Sequence, residues 1–284
     1  MTKEQPTVYV ITGPTASGKS ALAVEWAKRL DTEVISADSR QIYRGIPIVT
    51  AVPTEEEKQG VRHHLLETLP LDAYYSASMF EQDAIRIIRR LLEEKGSAVV
   101  CGGSMMYIDA LCDGIDDLPT VPTDVRDSLT AEWKNRGDDW LRGLLKNLDP
   151  EYWHKVDLRN VKRVFHAVEI SMTAGRPYSE LITGKKTERD FRIEKIFTNL
   201  DRETLFDRIN KRVDRMMEAG LEEEARSVYP IRHYNSLNTV GLKEMFAMID
   251  GKMDRKTAVE RIKKNTRVYA KKQMTWLRRG IQKS

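Results

Sequence analysis

The stretch GPTASGKS, Gly13–Ser20, follows directly on the apolar run VYVIT. This junction constrains the fold more than any other feature of the chain. It fits G-x-x-x-x-G-K-[ST], a pattern that works as a loop between a buried strand and the start of a helix. The glycines let backbone N–H groups curl around an anion, and the helix N-terminus adds the positive end of its dipole. Lys19 supplies a point charge and Ser20 a hydroxyl for Mg2+. The loop predicts an α/β fold with an anion at the end of its first strand. It leaves open which phosphate is held, and ATP or another nucleotide is the default reading.

The rest of the chain extends that frame. Strands are expected at 7–11, at 33–38 (EVISAD) and at 97–101 (SAVVC). They alternate with helical patterns at 20–30 and 78–94, the second placing Phe80, Ala84, Ile87, Ile88 and Leu91 on one side. Such alternation predicts a P-loop kinase-like parallel sheet with helices on both faces. Ligands then sit at the carboxyl ends of the strands. Here those ends carry Gly13–Ser20, Asp38–Gln41 and Gly102–Ser104. The middle reads as an inserted all-helical subdomain over 118–190, with helices at 123–136, 138–148 and 160–174. The P-loop core domain is read as 1–117 plus 191–284, with a returning strand at 192–200 and helices at 201–219, 221–229 and 255–279.

With 40% hydrophobic and 32% charged residues the 284-residue chain reads as soluble and globular. It has no run long enough to span a membrane and no export signal at its start. Two cysteines, Cys101 and Cys112, suggest a reducing compartment. A cytoplasmic monomer is expected. The net charge is +4, yet Arg261–Ser284 holds nine Lys/Arg and no acid, which leaves −5 on the remainder. The tail (Arg261, Lys263, Lys264, Arg267, Lys271, Lys272, Arg278, Arg279, Lys283) is either a solvated helix face or a contact for a polyanion.

The chemistry departs from an ordinary NTPase. SAVVC runs into GGS and not into an acidic partner for Mg2+, and no arginine-rich lid stands out. The polar cluster lies after the second strand instead, in SADSRQIYRG. Asp38 would face the bound phosphates, where a carboxylate can hold Mg2+ or accept a proton; a turn or N-cap role is the structural alternative. His63 and His64 are adjacent and make a poor metal pair, so a hydrogen-bonding role is expected. Met105, Met106, Met216 and Met217 read as core or gap-filling residues. Tyr269 and Trp276 are expected to pack inward.

GPTASGKS, ISADSRQIYRG, HHL (63–65), YSASMF (75–80), GGSMMYIDAL (102–111), RVDRMMEAGLEEEAR (212–226), GLKE (241–244) and TRVYAKKQMTW (266–276) occur in order. Together they resemble the tRNA dimethylallyltransferases, across nearly the whole chain. The resemblance implies transfer of a dimethylallyl group to N6 of adenine 37 beside the anticodon. It makes Gly13, Pro14, Thr15, Ala16, Ser17, Gly18, Lys19, Ser20 and Arg212 the site for dimethylallyl diphosphate, with Mg2+ on Ser20. Asp38 resembles the general base, with Lys19 and Thr15 assisting the departure of diphosphate. Asp38, Ser39, Arg40, Gln41 and Ser104 are then contacts to the tRNA around the flipped-out adenine. The insertion would grip the anticodon stem through Arg126, Lys162, Arg163 and His166. Where many relatives read D-I-G-T-A-K-P this chain has IPIVTAVP, with Pro47 and Val52 in place of an aspartate and a lysine. His166 stands in an arginine position, and Ser104 where threonine is usual. A small-molecule kinase, a prenyltransferase of free adenine nucleotides and an RNA-binding protein with a relict phosphate loop are the alternatives.

Overall fold

The computed structural model describes residues 6–198 and 200–281, with the backbone alone for 279–281. The start of the chain (1–5), Asn199, the side chain of Arg279 and Lys283, which entered the reading above, lie outside the described residues. The chain divides into two compact units, Met1–Asp113 with Glu188–Ser284, and Gly114–Thr187.

The first unit is built on one parallel sheet. Its strands are β1 (Thr7–Thr12), β2 (Val34–Ser36), β3 (His63–His64), β4 (Ser97–Gly102) and β5 (Arg192–Phe197), in the order β3-β2-β4-β1-β5. Every pairing is parallel. VYVIT and SAVVC form strands because their apolar residues are buried on both faces, as central parallel strands require. Ile11, Val34, Val99 and Cys101 pack with Ala23 and Ala27 of the helix Lys19–Arg29. The alternate residues Val8, Val10, Ile35, Ala98 and Val100 are also buried, and by strand alternation point to the other face. The helix Ala77–Lys95, whose buried stripe is Ala77, Phe80, Ala84, Ile88 and Leu91, packs against β4. The registers pair Thr12 with both Gly102 and Phe197, and Ser36 with Cys101. The carboxyl ends of four strands therefore finish side by side, which brings their loops to one edge of the sheet.

His63 and His64 form the edge strand, and their rings hydrogen-bond away from each other. His63 Nδ1 lies 2.9 Å from the Val61 carbonyl, and His64 Nε2 lies 2.5 Å from Glu33 Oε2. Among the described residues no group of three His, Cys, Asp or Glu could hold a metal ion. Helices at Met105–Asp113 and Leu242–Ile249 were not anticipated. Nor was the short helix Pro47–Thr50, where proline sits in the first turn and Glu224 accepts the N–H groups of Ile48 and Val49, both at 2.8 Å. No helix among the described residues is long and apolar enough to cross a membrane.

In the second unit the helix Thr123–Leu148 breaks at Gly137, which takes φ 81° and ψ −178°. The interruption falls where two separate helices were expected. Leu129, Leu141, Leu145, Val164, Ala167 and Val168 form the unit's core, with Val164–Val168 contributed by the helix Val161–Ala174.

Candidate active site

The phosphate loop joins β1 to the helix Lys19–Arg29. Gly18 holds the helix N-cap at φ 90°, a conformation a side chain would strain. Ser17 Oγ bonds Thr198 Oγ1 at 2.6 Å, which fastens the loop to the end of β5. Arg212, on the helix Arg202–Glu218, donates from Nη1 to Thr15 Oγ1 at 3.3 Å. Lys19 Nζ lies 3.4 Å from the Pro14 carbonyl, folded back over its own loop.

Electrostatics link these cations to Asp38. Burial pulls the Lys19 ammonium below its usual pKa; Arg212 adds to that, while the Asp38 carboxylate opposes it. Burial also lowers Arg212, again against Asp38. Two buried cations thus lie within electrostatic reach of one carboxylate, an excess of positive charge that favours an anion. Burial pushes the Cys101 thiol beneath Lys19 up to about 11, so the thiol stays neutral at pH 7.

Asp38 Oδ1 accepts the N–H groups of Arg40 at 2.9 Å and Gln41 at 3.3 Å. The aspartate closes its own turn with one oxygen. Ser104 Oγ accepts the Ser39 N–H at 2.8 Å, so the loops after β2 and β4 are tied together. Arg40 Nη1 donates to the carbonyls of Asn235 and Ser236 at 2.8 and 3.2 Å. The Gln41 amide is committed internally, donating to the carbonyls of Thr50 and Ala51 at 3.1 and 2.9 Å and accepting from Ser36 Oγ. It holds the 50–51 turn on which the segment rests.

Within the second unit, Arg126 donates to both oxygens of Glu169 at 2.8 and 3.1 Å, and His166 Nδ1 lies 3.1 Å from Glu169 Oε1. Lys162 and Arg163 are exposed on the same helix as His166. Of the four residues expected on the anticodon stem, Arg126 and His166 are bonded to the buried Glu169 while their own side chains stay partly open to solvent, and Lys162 and Arg163 are exposed.

Two expectations are corrected. Tyr269 is 38% exposed and does not pack inward; partial burial, and after it the Asp38 charge, raise its phenol to about 12. Met106 is 67% exposed, whereas Met216 and Met217 do pack against the core. Trp276 is half-buried and donates its indole N–H to Asp109 Oδ2 at 2.9 Å. Three residues at the phosphate loop were not foreseen: Thr198, Arg208 and Gln273. A Cβ on Gly18 would lie 3.7 Å from Arg208 Nη1, so a second arginine borders the loop. It lies one helical turn before Arg212, and that spacing was the available signal.

The sequence profile of the IPP transferase family matches residues 41–280. The chain belongs to the IPP transferase family. It is 50% identical to tRNA dimethylallyltransferase 2 of Parabacteroides distasonis over 272 residues, covering 96% of this chain and 91% of that one. It is likewise 50% identical to tRNA dimethylallyltransferase 2 of Porphyromonas gingivalis, covering 98% and 93%. Among solved structures, a eukaryotic dimethylallyltransferase described as acting on tRNA superposes with a TM-score of 0.81 at 27% identity, covering 95% of this chain and 69% of that one. The family profile begins at Gln41, after the phosphate loop and Asp38. The profile match therefore does not itself rest on the phosphate loop, which the matches to the full-length relatives do include.

Proposed function

We propose that this enzyme transfers a dimethylallyl group from dimethylallyl diphosphate to N6 of adenine 37 in tRNAs that read codons beginning with U. The observation that most supports this is the position of Asp38 within electrostatic reach of Lys19 and Arg212, beside a phosphate loop. A kinase needs a phosphoryl acceptor there; a prenyl transfer needs a base for an amine proton and cations for a leaving diphosphate. The names carried by its relatives agree with the second.

In this reading the N6 nitrogen attacks C1 of the dimethylallyl group. The C–N bond forms, the C–O bond to diphosphate breaks, and its electron pair leaves on the diphosphate oxygen. Positive charge on the allylic carbon is delocalised. Lys19, Arg212, the Thr15 hydroxyl and the loop N–H groups stabilise the charge that develops on the diphosphate. The amine N–H becomes acidic as the new bond forms, and Asp38 takes its proton. Ser39 and Arg40 meet the flipped-out base and its neighbour, while Gln41 and Ser104 hold the strip they stand on. Flipping costs a few kcal/mol and costs less in a loop than in a duplex. Arg126, Lys162, Arg163 and His166 serve the anticodon stem.

Ser20, exposed at the first turn of its helix, would hold Mg2+. Among the described residues no group of three His, Cys, Asp or Glu could hold a metal ion, which is compatible with Mg2+, an ion usually bound by few protein ligands together with substrate phosphates and water. When bound it supplies charge neutralisation on the diphosphate. We place the reaction in the cytoplasm, on monomeric enzyme.

The test is to incubate the protein with dimethylallyl diphosphate, Mg2+ and an anticodon stem-loop carrying adenines at 36–38. Mass spectrometry should show a five-carbon addition to one adenine. No addition to any RNA, with ATP consumed instead, would favour the kinase.

A further inference from the structure

Gln273, on the helix Arg255–Ile281, is only 2% exposed. Its Oε1 accepts the Thr15 N–H at 2.9 Å, and its Nε2 donates to the Gly103 carbonyl at 2.8 Å. A backbone N–H can only donate and a carbonyl can only accept. Both are satisfied by one side chain only if that side chain carries a donor and an acceptor at fixed spacing, as an amide does. The fit is close: a Cβ on Gly103 would come within 2.5 Å of Gln273 Nε2 and 3.2 Å of the Gly13 carbonyl.

The two groups it joins belong to different halves of the site. Thr15 lies in the phosphate loop after β1 and receives Arg212 on its hydroxyl. Gly103 follows β4 and precedes Ser104, whose hydroxyl holds the N–H of Ser39, the residue after Asp38. A bonded path thus runs from the Arg212 guanidinium through Thr15, Gln273 and the 103–104 loop to the segment bearing the base. The Thr15 N–H is turned to Gln273, so its contribution to the cradle is made through the hydroxyl.

We infer that Gln273 is a positioning residue of the transfer reaction, fixing the distance between the diphosphate loop and the Asp38 side of the site. The inference rests on the dimethylallyl transfer proposed above. An in-line displacement needs the reacting atoms about 3–3.5 Å apart, and a misplacement of about 1 Å can cost about a hundredfold in rate. A buried amide with both partners on site loops is suited to hold that distance. An anchor of the C-terminal helix alone would act on stability and nothing else.

Three variants separate these roles. Gln273→Met keeps the volume and removes both bonds. Gln273→Glu keeps the acceptor for Thr15 and sets an oxygen against the Gly103 carbonyl. Gly103→Ala displaces the amide and leaves Gln273 intact. Each should lower kcat by about a hundredfold, with KM for the stem-loop within about twofold. Gln273→Met should also weaken binding of inorganic diphosphate about tenfold, because the loop around Thr15 is then no longer held in its binding conformation before the anion arrives. Wild-type kcat in folded Gln273→Met and Gln273→Glu, with only the melting temperature lowered, would overturn the inference. Should the variants fail to fold, amide exchange in the wild-type protein decides. The Thr15 N–H should be protected without any ligand, and exchange at the rate of an open loop would overturn the contact itself. The diphosphate and exchange measurements need no RNA. They therefore judge Gln273 even if the wild-type enzyme transfers no prenyl group, an outcome that would defeat only the proposed function.

Discussion

Arg212 and Thr15 meet at 3.3 Å across 197 residues of chain, guanidinium to hydroxyl. The contact places a cation against the phosphate loop and orients the Thr15 hydroxyl, which the proposed reaction would turn to the same diphosphate. The two should act as a unit. Arg212→Ala is expected to lower kcat about a hundredfold, the cost of one lost donor to developing negative charge. Thr15→Val should cost less, and the double variant less than the product of the two. Multiplicative losses in a steady-state double-mutant cycle would show that the residues work independently.

Asp38→Asn isolates the proton transfer. Asparagine keeps an oxygen for the N–H groups of Arg40 and Gln41, so the turn survives. Loss of the base should lower kcat by about 10²–10⁴. Removing a negative charge beside Lys19 and Arg212 should strengthen binding of inorganic diphosphate. Calorimetry on the variant checks the sign: weaker diphosphate binding would mean that Asp38 helps hold the anion, through a metal ion, instead of serving as base.

The depressed Lys19 pKa predicts an alkaline limb. Lys19 is charged below its folded pKa and loses that charge as pH rises, earlier than a lysine at the ordinary 10.5. Diphosphate affinity should therefore fall on the alkaline side below pH 10.5, and binding in that range should take up a proton. Lys19→Arg should move the limb upward, since guanidinium stays charged. An affinity that is flat up to pH 10.5 in the wild type would contradict this.

The sheet was legible because its signals are local. VYVIT and SAVVC are apolar runs bounded by glycine, and the phosphate loop follows one of them. Likewise Gly137 interrupts an otherwise continuous helical pattern, and the two expected helices lie on either side of it. Tyr269 was misread because an aromatic residue on a periodic helix face resembles a core residue; its face looks toward Asp38 and Arg40. Gln273 lay within a recognised motif, yet its role depends on partners 258 and 170 residues away. No spacing rule reaches that far. The same holds for the hydroxyl pair Ser17 and Thr198, which closes only when β5 is laid beside β1.

The C-terminal helix carries both paired and exposed cations. Lys263 is bound to Asp214 at 2.7 Å with its side chain 16% exposed, and Arg267 donates to Asn210 at 2.5 Å. Arg261, Lys264, Lys272 and Arg278 are exposed. If this helix meets RNA, log affinity should fall linearly with log salt. Each of Lys264→Ala and Lys272→Ala should reduce the magnitude of that slope by about 0.7–0.9. Lys263→Ala should leave the slope unchanged and lower stability. A slope unaffected by all three substitutions would remove the helix from the RNA surface.

Glu169 makes a further prediction about the second unit. Its side chain is 5% exposed, and burial alone would raise its pKa; hydrogen bonds from His166 and Arg126 overcome this and hold it below the ordinary value. A carboxylate with a depressed folded pKa stabilises fully above its unfolded pKa, here about 4.5, and less as pH falls through the folded value. The melting temperature should therefore drop on acidification below about pH 4.5, and Glu169→Gln should flatten that limb. Arg126→Ala leaves a buried carboxylate short of its main partner, at a cost of about 2 kcal/mol given the partial exposure of the arginine. If Arg126 instead serves the anticodon stem alone, the same variant will lose RNA affinity with its melting temperature intact. Thermal denaturation and stem-loop binding, measured on one preparation, distinguish the two.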